Sequence, residues 1–113
     1  MTDIKITKKA NSVVKVSCTG HAETVDDGEY SMICAGLSTL LQTALLGLLQ
    51  VAKIDVKFER CEKEGKLEFS VPEGISETKR HDADVILNTL LCGLTDLYEG
   101  YSDFIKLQIF SAH

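Results

Sequence analysis

From residue 34 to residue 52 the chain repeats leucine and alanine at helical spacing, as Leu37, Leu40, Leu41, Ala44, Leu45 and Leu48. Steps of three and four residues place these side chains on one stripe of an α-helix. The opposite side carries Ser38, Thr39, Gln42 and Thr43, with little charge. The stripe must be buried, and a far side so poor in charge is expected to be covered as well. A sheet on one side and a second subunit on the other would do both.

The remaining segments supply the sheet. Ile4 and Ile6 alternate with Lys5 and Thr7, and Val14, Val16 and Cys18 alternate with Lys15, Ser17 and Thr19. Period two with β-branched residues predicts two strands. The polar stretch 8–12 joins them as a hairpin, and Gly20 ends the second. Residues 21–33 show no clear period and read as a loop. Val56 and Phe58, then Leu67, Phe69 and Val71, predict a second hairpin around Glu64-Gly65. Residues 73–79 read as a polar loop. Helical spacing returns over residues 81–98 through Ala83, Ile86, Leu87, Leu90, Leu91 and Leu94. Asp82 and Asp84 fall near its positive end, and Gly100 reads as its stop. Ile105, Leu107 and Ile109 form a last strand. The order is β-β-α-β-β-α-β. Five strands with one apolar face each, covered by two amphipathic helices, predict a two-layer α/β sandwich. The 113 residues make one domain.

Composition narrows the function. Twelve Lys and Arg against 17 Asp and Glu leave a net charge of −5. Such a surface repels phosphate backbones, so no direct nucleic-acid partner is expected and a basic partner is favoured. No basic-then-apolar leader opens the chain. The apolar stretch 37–52 is broken by Ser38, Thr39, Gln42, Thr43 and Gln50, so no membrane span is expected and the location expected is cytoplasmic. Cys18, Cys34, Cys61 and Cys92 lie 16, 27 and 31 residues apart. No C-x-x-C pair exists for zinc or redox chemistry, so free thiols, mostly buried, are expected, with no metal and no cofactor.

One thiol stands apart. Cys34 opens the predicted helix, where unpaired N–H groups and the positive dipole end favour thiolate. That contribution is only ~0.3–1 kcal/mol, under about one pKa unit. A nearby imidazole is needed for more, and His21 is the histidine placed to supply it; His81 begins the other helix and His113 ends the chain. Taken singly, Cys34 reads first as a core thiol and His21 as a loop histidine. Their pairing makes them candidates for catalysis.

Gly20-His21-Ala22, a loop containing Gly28-Glu29, and Ile33-Cys34-Ala35-Gly36-Leu37-Ser38 together resemble the ribosomal-processing cysteine protease family (Prp, the YsxB-like proteins). That family's pattern is G-H-A, a loop with G-x-D, then I-V-C-A-[AG]-[VL]-S, and its length and element order match nearly the whole chain. The resemblance implies a cysteine protease that trims the N-terminal extension of bacterial ribosomal protein L27 with a cysteine–histidine dyad. His21 would be the general base and Cys34 the nucleophile. Ser38 matches the family serine as a supporting residue, and the family's dimeric state implies a homodimer. Ser31 stands where the family has aspartate, and the segment 29–33 is one residue longer. The loop residues Asp27, Gly28, Glu29, Tyr30 and Ser31 would bind or gate substrate, with Gly28 as pivot. Backbone N–H groups of Cys34 and Ala35 are the candidate oxyanion donors. The alternative is a non-catalytic, ribosome-associated or regulatory protein-binding module with the same fold.

Overall fold

The computed structural model describes residues 1–20, 28–61 and 65–112, and no side chains of residues 28–31. His21 and Asp27 therefore lie outside the described residues, as do the side chains of Gly28, Glu29, Tyr30 and Ser31. The elements run β1 (Thr2–Lys9), β2 (Ser12–Thr19), α1 (Gly28–Leu46), β3 (Lys57–Cys61), β4 (Lys66–Ser70), α2 (Glu77–Gly100) and β5 (Ile105–Ser111). The five strands form one sheet in the order β3-β4-β2-β1-β5. β5 runs parallel to β1, and the other neighbours are antiparallel. Two helices on a five-stranded mixed sheet are the two layers that the alternating periods predict.

Register puts the apolar residues on the face under the helices. Ile4 pairs with Cys18 and Ile6 with Val16; across β2, Val16 pairs with Phe69 and Cys18 with Leu67. The β1–β2 turn carries Ala10 and Asn11 at φ 51° and 66°, the two left-handed positions of a type I′ hairpin. A bulge between Thr7 and Lys8 shifts the register there and accompanies burial of Val13 at the top of the strand.

α1 covers this face with Ile33, Leu37, Leu41, Ala44 and Leu45, and a π-helical turn, Gly47–Val51, carries Leu48 into the same core. α2 adds Ala83, Leu87, Leu90 and Leu94. The two helices meet at small residues. A Cβ on Gly93 would stand 3.5 Å from Leu40, and one on Gly47 3.6 Å from Ile86. The segment Met32–Val51 is long and apolar enough to cross a membrane, with mean hydropathy 1.8, which is more than its interrupting polar residues suggested. Its stripe is nonetheless packed on the sheet, as in the core helix of a two-layer domain.

Both helices begin earlier than their apolar stripes. α1 starts at Gly28, so residues 28–33, expected in a loop, form its first turns. α2 starts at Glu77 rather than at residue 81. Its cap is Ser76, whose hydroxyl accepts from the Lys79 N–H at 3.2 Å. Glu77, not Asp82 or Asp84, is the acidic residue of that first turn. Gly100, read as the stop, is the last helical residue. In α2 the first turn is solvent-exposed, so no apolar period marks it.

The end of β2 is held from both sides. The Gly20 N–H donates to the Gly65 carbonyl at 3.1 Å. Gly65 has φ +59°, and a Cβ there would run into the Gly20 carbonyl oxygen. Gly65→Ala is therefore expected to cost ~2 kcal/mol or more, since the left-handed backbone alone costs about 1–2. Gly36 is the contrast: it lies inside α1, where a Cβ would meet nothing within 4 Å. Gly36→Ala should add up to ~1 kcal/mol of helix stability. Denaturant midpoints of the two variants, moving in opposite directions, check both.

Candidate active site

A cavity of about 480 Å³ opens where the ends of β1, β2, β3 and β4 meet the middle of α1. Steps of four along the helix aim Cys34, Ser38 and Gln42 at it, with Leu37 and Leu41 as the apolar floor. The sheet supplies Thr2, Cys18, Gly20, Leu67, Arg60, Cys61, Gly65 and Lys66. Gly20 is the last described residue before His21. The chain thus enters the Gly-His-Ala motif from the wall that Cys34 lines.

Cys34 is half-buried, and its Sγ lies 3.3 Å from the Thr2 hydroxyl. It stands six residues beyond Gly28, in the second turn of α1. This corrects the expectation of a thiol at the helix start. The orphan N–H groups and most of the dipole effect belong to the first turn. The backbone N–H groups of Cys34 and Ala35 likewise serve the helix ladder and are not spare oxyanion donors. Residues 28–31, expected in a loop, are helical backbone, with Gly28 the first residue of the helix.

Ser38 is exposed on the cavity wall, and its hydroxyl makes no hydrogen bond among the described residues. The hydroxyl that bonds back to the preceding turn is that of Thr39, to the Ala35 carbonyl at 2.9 Å. Ser38 is thus not occupied by its own helix.

Only Cys18 of the four thiols is buried, although most were expected to be; Cys61 is half-buried and Cys92 exposed. Burial, then the neighbouring Cys34 and then Asp3, push the Cys18 thiol up to about 11. Cys18 is thus neutral near pH 7 and packs as a small apolar side chain. The cationic rim is also tied down. Lys66 Nζ sits 3.7 Å from both Glu59 and Glu68, and Lys15 reaches Glu68 at 2.7 Å. The Glu68 carboxyl is held below its ordinary value, first by the hydrogen bond from Lys15.

Thr2, Gln42, Arg60 and Lys66 escaped the sequence reading. Gln42 was legible in principle, two helical steps of four from Cys34. Thr2 was legible as the inward position before Ile4 and Ile6. Arg60 and Lys66 depend on how β3 and β4 pair.

A thiol set in a cleft, beside the strand end that leads into a histidine, is the plan of a cysteine protease. A family model for cysteine protease Prp matches residues 1–106. The chain belongs to the Prp family of cysteine proteases. It is 21% identical over 95 residues to the ribosomal processing cysteine protease Prp of Bacillus subtilis (strain 168), covering 84% of each chain. Among solved structures it resembles SMU.848 from Streptococcus mutans, with TM-score 0.85 and 22% identity over 99% of this chain and 96% of that one. The essential ribosomal processing protease Prp of Staphylococcus aureus, in complex with a substrate peptide, superposes with TM-score 0.82 at 23% identity. That match covers 96% of this chain and 99% of the other.

The buried Cys18 thiol should resist modification. Below about pH 11 Cys18 stays protonated and unreactive. Stepwise alkylation of the folded protein, read by peptide mass, should modify Cys18 last and leave it largely free at pH 8.

Proposed function

We propose that the chain is an endopeptidase that removes the N-terminal extension of ribosomal protein L27, with His21 as general base and Cys34 as nucleophile. The observation that carries this reading is that the Cys34 sulfur and Gly20, the residue before His21, line one cavity. With the helix start withdrawn from Cys34, a neighbouring imidazole is the principal means left for activating it. In this mechanism His21 takes the thiol proton and Cys34 Sγ bonds to the scissile carbonyl carbon. Collapse of the tetrahedral adduct breaks the C–N bond, and the protonated imidazole gives its proton to the leaving amine. Water, deprotonated by the same imidazole, then hydrolyses the thioester and restores the thiol.

Ser38, free of its own helix and four residues from Cys34, is the supporting residue that orients the cysteine. Asp27, Gly28, Glu29, Tyr30 and Ser31 contribute to substrate binding, with residues 28–31 acting from the first turn of α1. The uncharged outer side of α1, where Met32 and Leu46 are exposed, with Val51 exposed in the π-helical turn that follows, supports a homodimer. On this reading the enzyme acts in the cytoplasm.

Mixing the protein with L27 from the same organism should shorten L27 at one N-terminal position, as read by intact mass. Cys34→Ala and His21→Ala should each abolish the cut while leaving the fold intact. Uncut L27 that still binds would instead support the non-catalytic binding module. At pH 7, iodoacetamide should modify Cys34 well before Cys61 and Cys92. Ser38→Ala should lower kcat/KM roughly 10-fold without changing the melting temperature, the effect of one lost hydrogen bond in the transition state.

A further inference from the structure

Thr2 is the one buried polar side chain among the described residues, 3% exposed. The position is inward on β1, where the alternation continues as Ile4 and Ile6, so packing alone calls for an aliphatic residue. A hydroxyl buried there is costly unless it is hydrogen-bonded. Its Oγ1 lies 3.3 Å from Cys34 Sγ. The backbone beneath it is pinned, since the Thr2 N–H donates to the Phe104 carbonyl at 2.9 Å. On its other side the hydroxyl abuts the backbone that leads into His21. A Cβ on Gly20 would stand 2.8 Å from Oγ1 and 3.2 Å from the Thr2 Cα.

We infer that Thr2 is a positioning residue for Cys34: its hydroxyl donates to the sulfur, stabilises the thiolate and holds the side chain toward the cavity. When the sulfur is a thiol, S–H can donate to Oγ1. When it is ionised, the direction reverses and the bond becomes charge-assisted, which favours the ionised form. A hydrogen bond to a charged partner is strong enough to move the titration by about one pH unit. Because Thr2 sits on the sheet and Cys34 on the helix, the contact also fixes the helix against the strand end that carries His21. This deepens the reading of Cys34 as nucleophile and rests on it.

Thr2→Val keeps the volume and the main-chain hydrogen bond and removes the hydroxyl. Thr2→Ser keeps the hydroxyl, and Thr2→Ala is the second hydroxyl-free variant. The pH profile of Cys34 alkylation by iodoacetamide is read by peptide mass for each folded variant, with melting temperature alongside. Thr2→Val should move the midpoint up by about one unit, slowing alkylation roughly 10-fold on the acid side of the profile. Thr2→Ser should restore it. With peptide substrate, kcat should fall and KM should hold. A folded Thr2→Val or Thr2→Ala protein whose profile overlays the wild type overturns the assignment, whatever happens to cleavage. A shifted profile in a protein that cuts no peptide upholds Thr2 and removes the protease reading instead.

Discussion

Three short residues decide the geometry of the cleft. Gly20, Gly65 and Thr2 approach so closely that a single added carbon on either glycine would collide with a neighbour. Gly20 is tied to Gly65 through the backbone and packed against Thr2, and Thr2 in turn touches Cys34. The end of β2 is thus clamped between β4 and β1, with the helix thiol on the same clamp. His21 is the next residue in the chain. The Cys34–His21 pair proposed above would need such a fixed base, because displacement by 1 Å can cost about two orders of magnitude in rate.

The clamp also changes the electrostatic account of the thiol. A cysteine in the first helical turn would have backbone N–H groups and the dipole to stabilise its charge. Cys34, one turn further in, has its backbone committed to the helix. The Thr2 hydroxyl is a side chain in contact with its sulfur, and the His21 imidazole is the second group that the proposed mechanism requires. Cys18 shares the cavity but stays neutral, because burial and the nearness of Cys34 oppose its ionisation. Cys18 and Cys34, two of the three thiols that line the cavity, are therefore not equivalent, and the wall that excludes water from one leaves the other accessible.

Most of the fold was legible in the periodicities because each element has one face in the core and one in water. β1, β2, β4 and both helices were placed by alternation or by the three–four stripe. The helix starts were not legible, since the first turn of α2 is exposed and carries no apolar signal, and its beginning depends on the Ser76 cap. In α1 the error reached function, because placing Cys34 at the start credited it with a dipole it does not have. The strand order, and with it Arg60 and Lys66 on the cavity rim, depends on β3 pairing at the sheet edge. Pairing between distant strands leaves no mark in local spacing. Thr2 did leave one, as a hydroxyl in an inward position, but a lone threonine gains meaning only when its partner across the layer is known.

Charge separates encounter from docking. The chain carries −5 overall, which draws a basic partner at long range and weakens with salt. The described wall of the cavity carries Arg60 and Lys66 and no carboxylate, with Lys66 paired to Glu59 and Glu68 beside it. A basic side chain therefore has no described counter-charge inside the cleft. What the cleft offers is an apolar floor from Leu37, Leu41 and Leu67, bordered by the hydroxyl of Ser38 and the amide of Gln42. These suit an uncharged stretch of peptide whose neighbouring segments are basic. Overall charge and cleft lining thus favour different features of a peptide, a basic partner at long range and an uncharged stretch in contact.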